Sequence, residues 1–230
     1  DSDKALLDNV FGPQNADWRK EWLMSKKVDE IQSPIPNPKT NEIKLADFVN
    51  SELVEFGVYD NMRMIPNAVD GLKTSQRKVL WASLRKPAGA ASTRVSQLSG
   101  HVSEVAMYHH GEASLQTTIV KMAQNFTGSN NINLLEPEGQ FGSRLSSGAD
   151  SAAARYIFTK ANGIARSIFP EADDPLLDYV VDEEATVEPK NYVPVIPFLP
   201  LNGQIGIGVG FMVNCQMFNP IDIIDATEMR

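Results

Sequence analysis

Apolar residues recur at the spacing of an α-helix in the first quarter of the chain. The pattern predicts short helices over residues 3–10 and 17–27, the second with its tryptophans packed on one face. A third helix is predicted to start at Leu45 and to end near Gly57. Three alternating prolines between residues 34 and 38 prevent helix formation and favour an extended linker, so we expect a boundary there.

Two further helices are predicted in the middle of the chain. The first follows the turn at Asp70-Gly71, has Thr74 or Ser75 as its cap, and buries a stripe of Val79, Leu80 and Leu84. The second covers residues 113–125, where apolar residues are spaced by three and four positions. Its predicted polar face consists of Gln116, Thr117, Lys121, Gln124 and Asn125.

The pattern changes after this helix. Residues 127–151 are rich in Gly, Asn and Ser, and their short apolar pieces at 132–135 and 140–145 predict two strands of a hairpin. A helix, a turn, a long helix and a small hairpin follow each other in the order of a winged-helix module, which binds DNA with its second helix. Residues 205–213 read as a strand loosened by glycines. The predicted fold class is therefore α+β, with a winged-helix domain.

Composition indicates a globular protein. The 230 residues are 42% hydrophobic and 22% charged. The single cysteine, Cys215, excludes an intrachain disulfide and suits a reducing compartment. No segment has the roughly 20 apolar residues that would span a bilayer, so we expect no membrane partner. The chain begins at Asp1 rather than Met, and we expect it to be a piece of a longer protein.

The distribution of charge is informative because the net charge of −8, taken alone, argues against a nucleic-acid partner. Residues 1–60 carry 7 Lys/Arg and 12 Asp/Glu, residues 61–166 carry 12 and 6, and residues 167–230 carry 2 and 11. A basic middle between acidic ends is typical of a phosphate-binding surface in an otherwise acidic protein. Chance fluctuation is the alternative.

The basic middle contains a candidate nucleophile. Tyr156 follows Arg155 and a run of small and turn-forming residues, 146–151, which should lie exposed. A phenol with a pKa of roughly 10 is a poor nucleophile unless a cation stabilises the developing negative charge, and Arg155 is placed to do so. Alternatively, Tyr156 simply packs on Ile157 and Phe158.

Two histidines precede the helix over residues 113–125. In Tyr108-His109-His110-Gly111-Glu112, both imidazoles stand at the positive end of the helix dipole, a location that suits a phosphodiester. A metal site with Glu112 is a competing hypothesis, although adjacent residues point to different sides of a helix. Capping or packing histidines are the structural alternative.

Four cations surround the turn at Asp70-Gly71. They are expected to stay on the polar side of their segments, where they could bind phosphates or only solubilise the surface: Arg63, Lys73, Arg77 and Lys78.

Several of these stretches together resemble a known family. They are Ile65-Pro66-Asn67-Ala68-Val69-Asp70-Gly71-Leu72-Lys73, Gln76-Arg77-Lys78-Val79-Leu80, Tyr108-His109-His110-Gly111-Glu112, Ala123-Gln124-Asn125-Phe126, Gly139-Gln140-Phe141-Gly142 and Arg155-Tyr156-Ile157-Phe158-Thr159. Their order and spelling resemble the breakage-reunion region of type IIA DNA topoisomerases, over nearly the whole chain. The spelling is similar to the eukaryotic and large-DNA-virus enzymes and disfavours a bacterial-type subunit.

The resemblance implies roles for individual residues. Tyr156 would be the nucleophile that joins the 5′ phosphate of DNA and frees a 3′ hydroxyl, with Arg155 stabilising the transition state and His110 in the catalytic site. Asp70 would support the active site. Ile207 would wedge between base pairs and kink the duplex, a role that an apolar residue between glycines suits. The remaining expected DNA-binding residues are Arg63, Lys73, Arg77, Lys78, Gln116 and Lys121.

The resemblance also implies a domain plan and partners. Residues 1–44 would be a connecting segment from a metal-binding domain, 45–186 the winged-helix domain, and 187–230 the beginning of an α/β tower domain. Magnesium and ATP would both be bound outside this chain. Asp1-Ser2-Asp3 is interpreted as a chance match to the family's metal motif. We expect double-stranded DNA as substrate and a homodimeric parent enzyme in the nucleus, or at a viral replication site or in the host cytoplasm if viral. Alone, the chain should bind DNA and cleave it poorly or not at all.

Two other functions remain open from the sequence. A non-catalytic winged-helix protein would have the same basic centre and would not need Tyr156. A metal-dependent hydrolase would use His109, His110 and Glu112 as ligands.

Overall fold

The computed structural model describes residues 2–26, 31–87 and 89–228, which form two compact units. The first unit combines Asp1–Ile65 with Ile205–Val213, and the second combines Pro66–Gln204 with Asn214–Arg230. Within the described ranges, no helix is long and apolar enough to cross a membrane.

The first unit contains four helices and a short hairpin segment. The helices are α1 (Ser2–Phe11), α2 (Ala16–Met24), α3 (Leu45–Val49) and α4 (Glu52–Met64). Trp18 stacks on Trp22 with ring centres 5.5 Å apart, so these tryptophans pack as expected. The buried core of the unit consists of Val10, Trp22, Leu23, Val49 and Val54. The first two predicted helices are confirmed, although Lys27, the expected end of the second, lies outside the described residues.

The third predicted helix is wrong in its extent. Two helices, α3 and α4, occupy the region, and α4 continues past Gly57 to Met64. Gly57 is buried within α4, and a Cβ atom added there would lie 3.0 Å from Cδ2 of Leu23. The glycine therefore permits close packing of α4 on α2 and does not stop the helix.

The second unit begins with three helices and a small sheet. Its elements are α5 (Thr74–Leu84), β1 (Thr93–Arg94), α6 (Val95–Val105), α7 (Glu112–Ala123), β2 (Leu135–Glu138) and β3 (Phe158–Ala161). The three strands are antiparallel in the order β1-β3-β2. Helix α7 confirms the prediction for residues 113–125. Helix α5 starts earlier than a Thr74 or Ser75 cap would allow, because Lys73 occupies the N-cap position and its N–H donates to Oε1 of Gln76 at 2.8 Å.

One apolar core joins these elements. Helices α5, α6 and α7 pack on each other and on the inner face of the sheet. The fully buried members include Val79, Leu80, Leu98, Val102, Leu115, Ile119, Leu135 and Ile157. The core holds the three helices and the strand that follows Tyr156 as one body.

The predicted hairpin is wrong in both strands: the first, β2, begins at Leu135 where the prediction had ended, and the second is β3. Strand β2 pairs with β3, with Glu138 opposite Phe158, and residues 140–145 form no strand. Phe141 is buried, so the apolar signal of that segment comes from one anchoring side chain and not from strand alternation. Tyr156 consequently lies in the long loop between the two paired strands, directly before β3, and not beyond a completed wing.

The rest of the second unit is built from short elements. They are α8 (Gly163–Ile168), a 3-10 helix (Glu171–Leu176), β4 (Tyr179–Asp182), β5 (Ala185–Pro189), α9 (Phe198–Asn202) and α10 (Pro220–Glu228). Strands β4 and β5 form an antiparallel hairpin.

The single strand expected over residues 205–213 is wrong, because two paired strands, β6 (Gln204–Ile207) and β7 (Met212–Cys215), occupy this region. The glycines mark the turn between them.

The mixture of helices and small antiparallel sheets confirms the α+β class. Of the two predicted domain boundaries, the one after residue 44 falls directly before α3, and the one after residue 186 falls inside β5. The division into 1–44, 45–186 and 187–230 stays a prediction.

Candidate active site and nucleic-acid interface

Tyr156 is exposed at the end of the loop between β2 and β3. Its side chain is 63% exposed, whereas its neighbour Ile157 is 1% exposed and belongs to the core. The carbonyl of Ala154 accepts a hydrogen bond from the Ser96 N–H at 3.2 Å, and the carbonyl of Ile157 accepts one from the Val95 N–H at 3.0 Å. The backbone on both sides of the tyrosine is therefore bonded to the start of α6 while the phenol faces solvent. The exposure of Tyr156 argues against the alternative in which it packs on Ile157 and Phe158.

The Arg155 side chain lies against the Tyr156 ring. Its Cζ is 4.8 Å from the ring centre, within the range of a cation–π contact. A guanidinium remains charged at any working pH and presents several N–H donors. This contact brings a permanent positive charge to the phenol, where negative charge would develop during attack on a phosphate.

The loop that carries Tyr156 is internally bonded. The N–H of Ser143 donates to Oδ1 of Asp150 at 2.7 Å. Hydrogen bonds from Ser143 lower the pKa of Asp150, so this carboxylate stays ionised and keeps accepting them. The loop therefore has a defined shape despite its small and polar composition.

Arg77 is buried, which contradicts the expectation that it stays on a polar side. It is 6% exposed, and its Nε and Nη2 donate to the two carboxylate oxygens of Asp70 at 2.6 and 2.9 Å. Asp70 also accepts from the backbone N–H of Leu72 at 2.9 Å and of Tyr192 at 3.0 Å. Asp70 is thus the centre of a buried polar cluster that joins the turn, α5 and the segment after β5.

Lys78 is buried in the same way, and its predicted polar position is also wrong. Its Nζ donates to Oε2 of Glu188 at 2.8 Å and to the carbonyl of Ala106 at 2.5 Å. Helix α5 packs on α6, α7 and β5, so even its polar positions turn inward and need internal partners. Asp70, seven residues before Arg77, was a local sign of such pairing, whereas Glu188 was not identifiable from local spacing.

Lys73 and Lys121 are two cations whose charges affect each other. Burial, and secondarily the positive charge of Lys121, lower the pKa of Lys73. Among the described residues, neither lysine forms an ion pair with a carboxylate. Two like charges that interact in this way are stabilised when an anion such as a phosphate binds.

A groove runs along α7 beside the tyrosine loop. Its volume is about 520 Å³, and it places Gln116, Thr117 and Lys121 opposite the segment that leads into Arg155. The loop side of the groove is lined by residues 147–149 and 151–154. The structure thus brings two predicted DNA-binding residues, Gln116 and Lys121, to a surface shared with the candidate nucleophile's loop.

Gln124 is a residue of this region that the sequence placed wrongly. It was expected on the polar face of α7, but it is 7% exposed and its Nε2 donates to the carbonyl of Phe141 at 2.8 Å. A buried amide has to find partners, yet no local pattern indicates which ones.

The two histidines directly precede the N-cap of α7, Gly111, as predicted. His109 is exposed, and its Nε2 lies 3.2 Å from Oδ2 of Asp182. The His110 ring packs edge-on against Tyr108 with ring centres 5.3 Å apart. Across residues 2–26, 31–87 and 89–228, no group of three or more His, Cys, Asp or Glu side chains could hold a metal ion.

Arg63 and Ile207 belong to the other compact unit. Arg63 is half-buried in the last turn of α4. Ile207 ends β6 with 64% of its side chain exposed, and the following turn is held on α4 because Asn61 Nδ2 donates to the carbonyl of Val209 at 3.1 Å. The isoleucine is thus presented outward from a turn with a fixed base.

Comparison with known proteins decides the family. Residues 63–230 match the model of the A-subunit family of DNA gyrase/topoisomerase IV, and residues 1–61 match the C-terminal associated domain of TOPRIM. The chain belongs to the type IIA DNA topoisomerase family. The resemblance carried by the motifs is therefore confirmed for nearly every residue of the chain.

Similar proteins are eukaryotic topoisomerases. DNA topoisomerase 2 of Crithidia fasciculata is 54% identical over 227 residues, which are 98% of this chain and 18% of the relative. The mitochondrial DNA topoisomerase 2 of Dictyostelium discoideum is 50% identical over 225 residues, covering 98% and 17%. The DNA-binding, cleavage and re-ligation domain of Plasmodium falciparum topoisomerase II superposes with a TM-score of 0.84 at 45% identity, over 99% of this chain and 30% of that one. The chain thus spans less than a third of each of these proteins.

Proposed function

We propose that this chain is the DNA-breaking and rejoining segment of a type II topoisomerase, with Tyr156 as its nucleophile. The phenol oxygen forms a bond to the DNA phosphorus, the bond from phosphorus to the 3′ oxygen breaks, and the phenolic proton leaves as the 3′ oxygen becomes a hydroxyl. Attack by that hydroxyl reverses the step and reseals the strand. The exposed Tyr156 ring beneath the Arg155 guanidinium, 4.8 Å away, is the observation that carries the proposal.

Arg155 has a distinct part in this chemistry. Its guanidinium stabilises the negative charge on the phosphate when the phosphorus is in the pentavalent transition state. His110 stays a predicted catalytic-site residue at the N-terminal end of α7.

The DNA-binding element is proposed to be a winged helix. Helices α5, α6 and α7 followed by the pair β2–β3 have the order of that module, and the exposed side of α7 carries Gln116 and Lys121. Helix α7 would lie in the major groove, with Lys73 and Lys121 on the phosphates. The following α/β tower domain from residue 187 is part of the same proposal.

Arg77 and Lys78 are proposed to support this interface from within. Because each side chain is buried in an ion pair, a direct phosphate contact would leave Asp70 or Glu188 uncompensated. Asp70 supports the site through the same cluster. In the first compact unit, Arg63 is proposed to bind DNA and Ile207 to enter between base pairs.

The parent protein is proposed to be an ATP-dependent, magnesium-requiring homodimer acting on double-stranded DNA. Within the described residues, no group of three or more His, Cys, Asp or Glu side chains could hold the metal, which is proposed to bind outside this chain. Location in the nucleus remains our prediction. A relative named as mitochondrial makes that compartment the alternative to test.

The proposal is tested by trapping the covalent adduct. The full-length parent enzyme is incubated with magnesium and end-labelled nicked DNA, denatured, digested with trypsin and a nuclease, and examined by mass spectrometry. We expect a 5′-phosphoryl nucleotide on the peptide that contains Tyr156, and no adduct with Tyr156→Phe. The matched control is Tyr59→Phe, which removes the hydroxyl of another exposed tyrosine and should leave the adduct intact.

A non-catalytic DNA-binding module is the second candidate, supported by the same groove and lysines. It predicts tight DNA binding, no adduct and no response to Tyr156→Phe. The hypothesis of a metal-dependent hydrolase built on His109, His110 and Glu112 is contradicted, because these described residues belong to no group of three that could hold a metal ion.

A further inference from the structure

The loop between β2 and β3 is closed by bonds among its own residues. The N–H of Gly148 donates to the carbonyl of Ser143 at 2.9 Å, and the N–H of Ala152 donates to the carbonyl of Gln140 at 2.9 Å. Near its end, the Tyr156 N–H donates to the carbonyl of Ala153 at 2.9 Å. Because these bonds link the parts of the loop to each other, a contact at one point of it can affect the position of Tyr156.

Gln124 reaches this loop from the end of α7. Its Nε2 donates to the carbonyl of Phe141 at 2.8 Å and lies 3.4 Å from the carbonyl of Gly148. One amide group thereby joins two parts of the loop that are seven residues apart. Since the side chain is buried, both carbonyls would lose their partner in a poorly hydrated place if the amide were removed.

The backbone of Gln124 is itself held on both sides. Its N–H donates to the carbonyl of Val120 at 3.1 Å, and its carbonyl accepts a hydrogen bond from Nδ2 of Asn130 at 2.8 Å. The amide therefore extends from a rigid base. The same helix carries Gln116 and Lys121, the residues proposed to contact DNA.

The fit between Gln124 and the loop is tight. A Cβ atom at Gly148 would lie 2.4 Å from Nε2 of Gln124, and Gly148 has φ +81. A Cβ atom at Gly142 would lie 2.6 Å from Cα of Gly148. Only residues without a side chain permit this approach, so the amide and the loop backbone fit each other closely.

We propose that Gln124 is a positioning residue for the nucleophile: its amide fixes the tyrosine loop on the DNA-binding helix, so that Tyr156 meets the phosphate of a duplex bound along α7. The inference rests on the proposed function of Tyr156. Gln124 does not touch the reacting atoms and acts through the loop. A nucleophile displaced by about 1 Å can lose a hundredfold in rate while the substrate still binds.

The experiment separates the rate of the chemical step from DNA affinity. In the full-length enzyme, Gln124→Glu keeps the size of the side chain but replaces the donor with an acceptor that faces two carbonyls. Gln124→Met removes the donor without adding charge. For both variants, DNA dissociation constants are measured by fluorescence anisotropy, and rate constants of adduct formation are measured at saturating DNA below the unfolding midpoint of each variant.

We expect the rate constant to fall by about 10- to 100-fold in both variants while the dissociation constant for DNA stays unchanged. The matched control is Gln97→Glu, the same chemical change at an exposed position of α6. A purely structural bond would lower the unfolding midpoint and leave the rate constant of the folded enzyme as it was.

Three results would overturn the inference. They are an unchanged rate constant in both variants, a parallel loss of affinity and rate, and an equal effect of Gln97→Glu. If the wild-type enzyme itself forms no adduct on Tyr156, the proposed function fails. An adduct in the wild type with equal rates in the Gln124 variants would refute the positioning role alone.

Discussion

Arg77 and Asp70 form a two-point ion pair in the interior of the second unit, with Nε–Oδ2 and Nη2–Oδ1 distances of 2.6 and 2.9 Å. Nη2 of Arg77 also donates a hydrogen bond to the carbonyl of Leu72 at 2.9 Å. Asp70 in turn accepts from the N–H of Tyr192, which follows β5. The pair therefore connects the start of α5 to a distant part of the chain, as a charge cluster can do only when every member has a partner.

Removal of one member of this pair should destabilise the protein strongly. Asp70→Ala leaves the buried Arg77 guanidinium without a counter-ion, and we expect a loss of about 3–5 kcal/mol in the free energy of unfolding. Urea denaturation monitored by circular dichroism measures it. Glu136→Ala, which breaks the half-exposed pair with Lys160, serves as control and should cost less than about 1 kcal/mol. Similar losses in the two variants would contradict the structural importance of Asp70.

Lys73 should respond to the charge of Lys121. Burial and, secondarily, Lys121 lower the pKa of Lys73, so Lys121→Gln should raise that pKa without restoring the ordinary value of 10.5, because the larger cause remains. Titration of the lysine Cε carbons by NMR measures it. Lys86, whose pKa is lowered by burial, is the internal control and should not move. An unchanged Lys73 would show that the two ammonium groups do not interact.

The lowered pKa of Lys73 also predicts how the free energy of unfolding changes with pH. Between the pKa of folded Lys73 and 10.5, the unfolded chain binds more protons, so the contribution of Lys73 to stability rises with pH across that window. Below the window the partly buried ammonium of Lys73 costs stability. Lys73→Met should remove this slope in urea denaturation series, and a slope that persists would assign it to other groups.

Arg155→Ala should separate binding from chemistry. The guanidinium is proposed to stabilise charge on the phosphate during transfer, so we expect adduct formation to fall by about 100- to 1,000-fold with DNA affinity largely retained. Anisotropy and adduct assays on the full-length enzyme measure the two quantities. Arg144→Ala removes another exposed arginine of the same loop and should preserve the adduct rate. Equal losses of affinity and rate in Arg155→Ala would refute the assigned role.

Ile207→Ala should reduce DNA bending more than DNA binding. An exposed isoleucine at the end of β6 can enter a base step and kink the duplex, and alanine is too short to fill that step. Bending is measured by FRET between dyes at the two ends of a short duplex. Ile205→Ala, which truncates an exposed isoleucine of the same strand, is the control. An unchanged DNA bend angle with Ile207→Ala would refute the proposed insertion of Ile207 between base pairs.

Local sequence was sufficient for the elements whose signal lies within a few residues. Helices α1, α2 and α7 were predicted because helix periodicity, turns and caps act over one or two turns of chain. The exposure of Tyr156 also followed from its neighbourhood of small residues. Local signals failed where one residue type occurs in two structural roles. Gly57 suggested the end of a helix but lies inside α4, where it permits close packing. Phe141 suggested a strand but is a single buried side chain in a loop.

The linear order of motifs was therefore enough to establish the family, the α+β class and the candidate nucleophile with its arginine, because those signals are carried by residue types and short spacings. Tertiary structure alone decided that Arg77 and Lys78 point inward, that β2 pairs with β3, and that Gln124 bonds to the loop of Tyr156. The physical reason is sequence separation: Glu188 lies 110 positions from Lys78, and the burial that makes their pairing necessary exists only after the helices have packed.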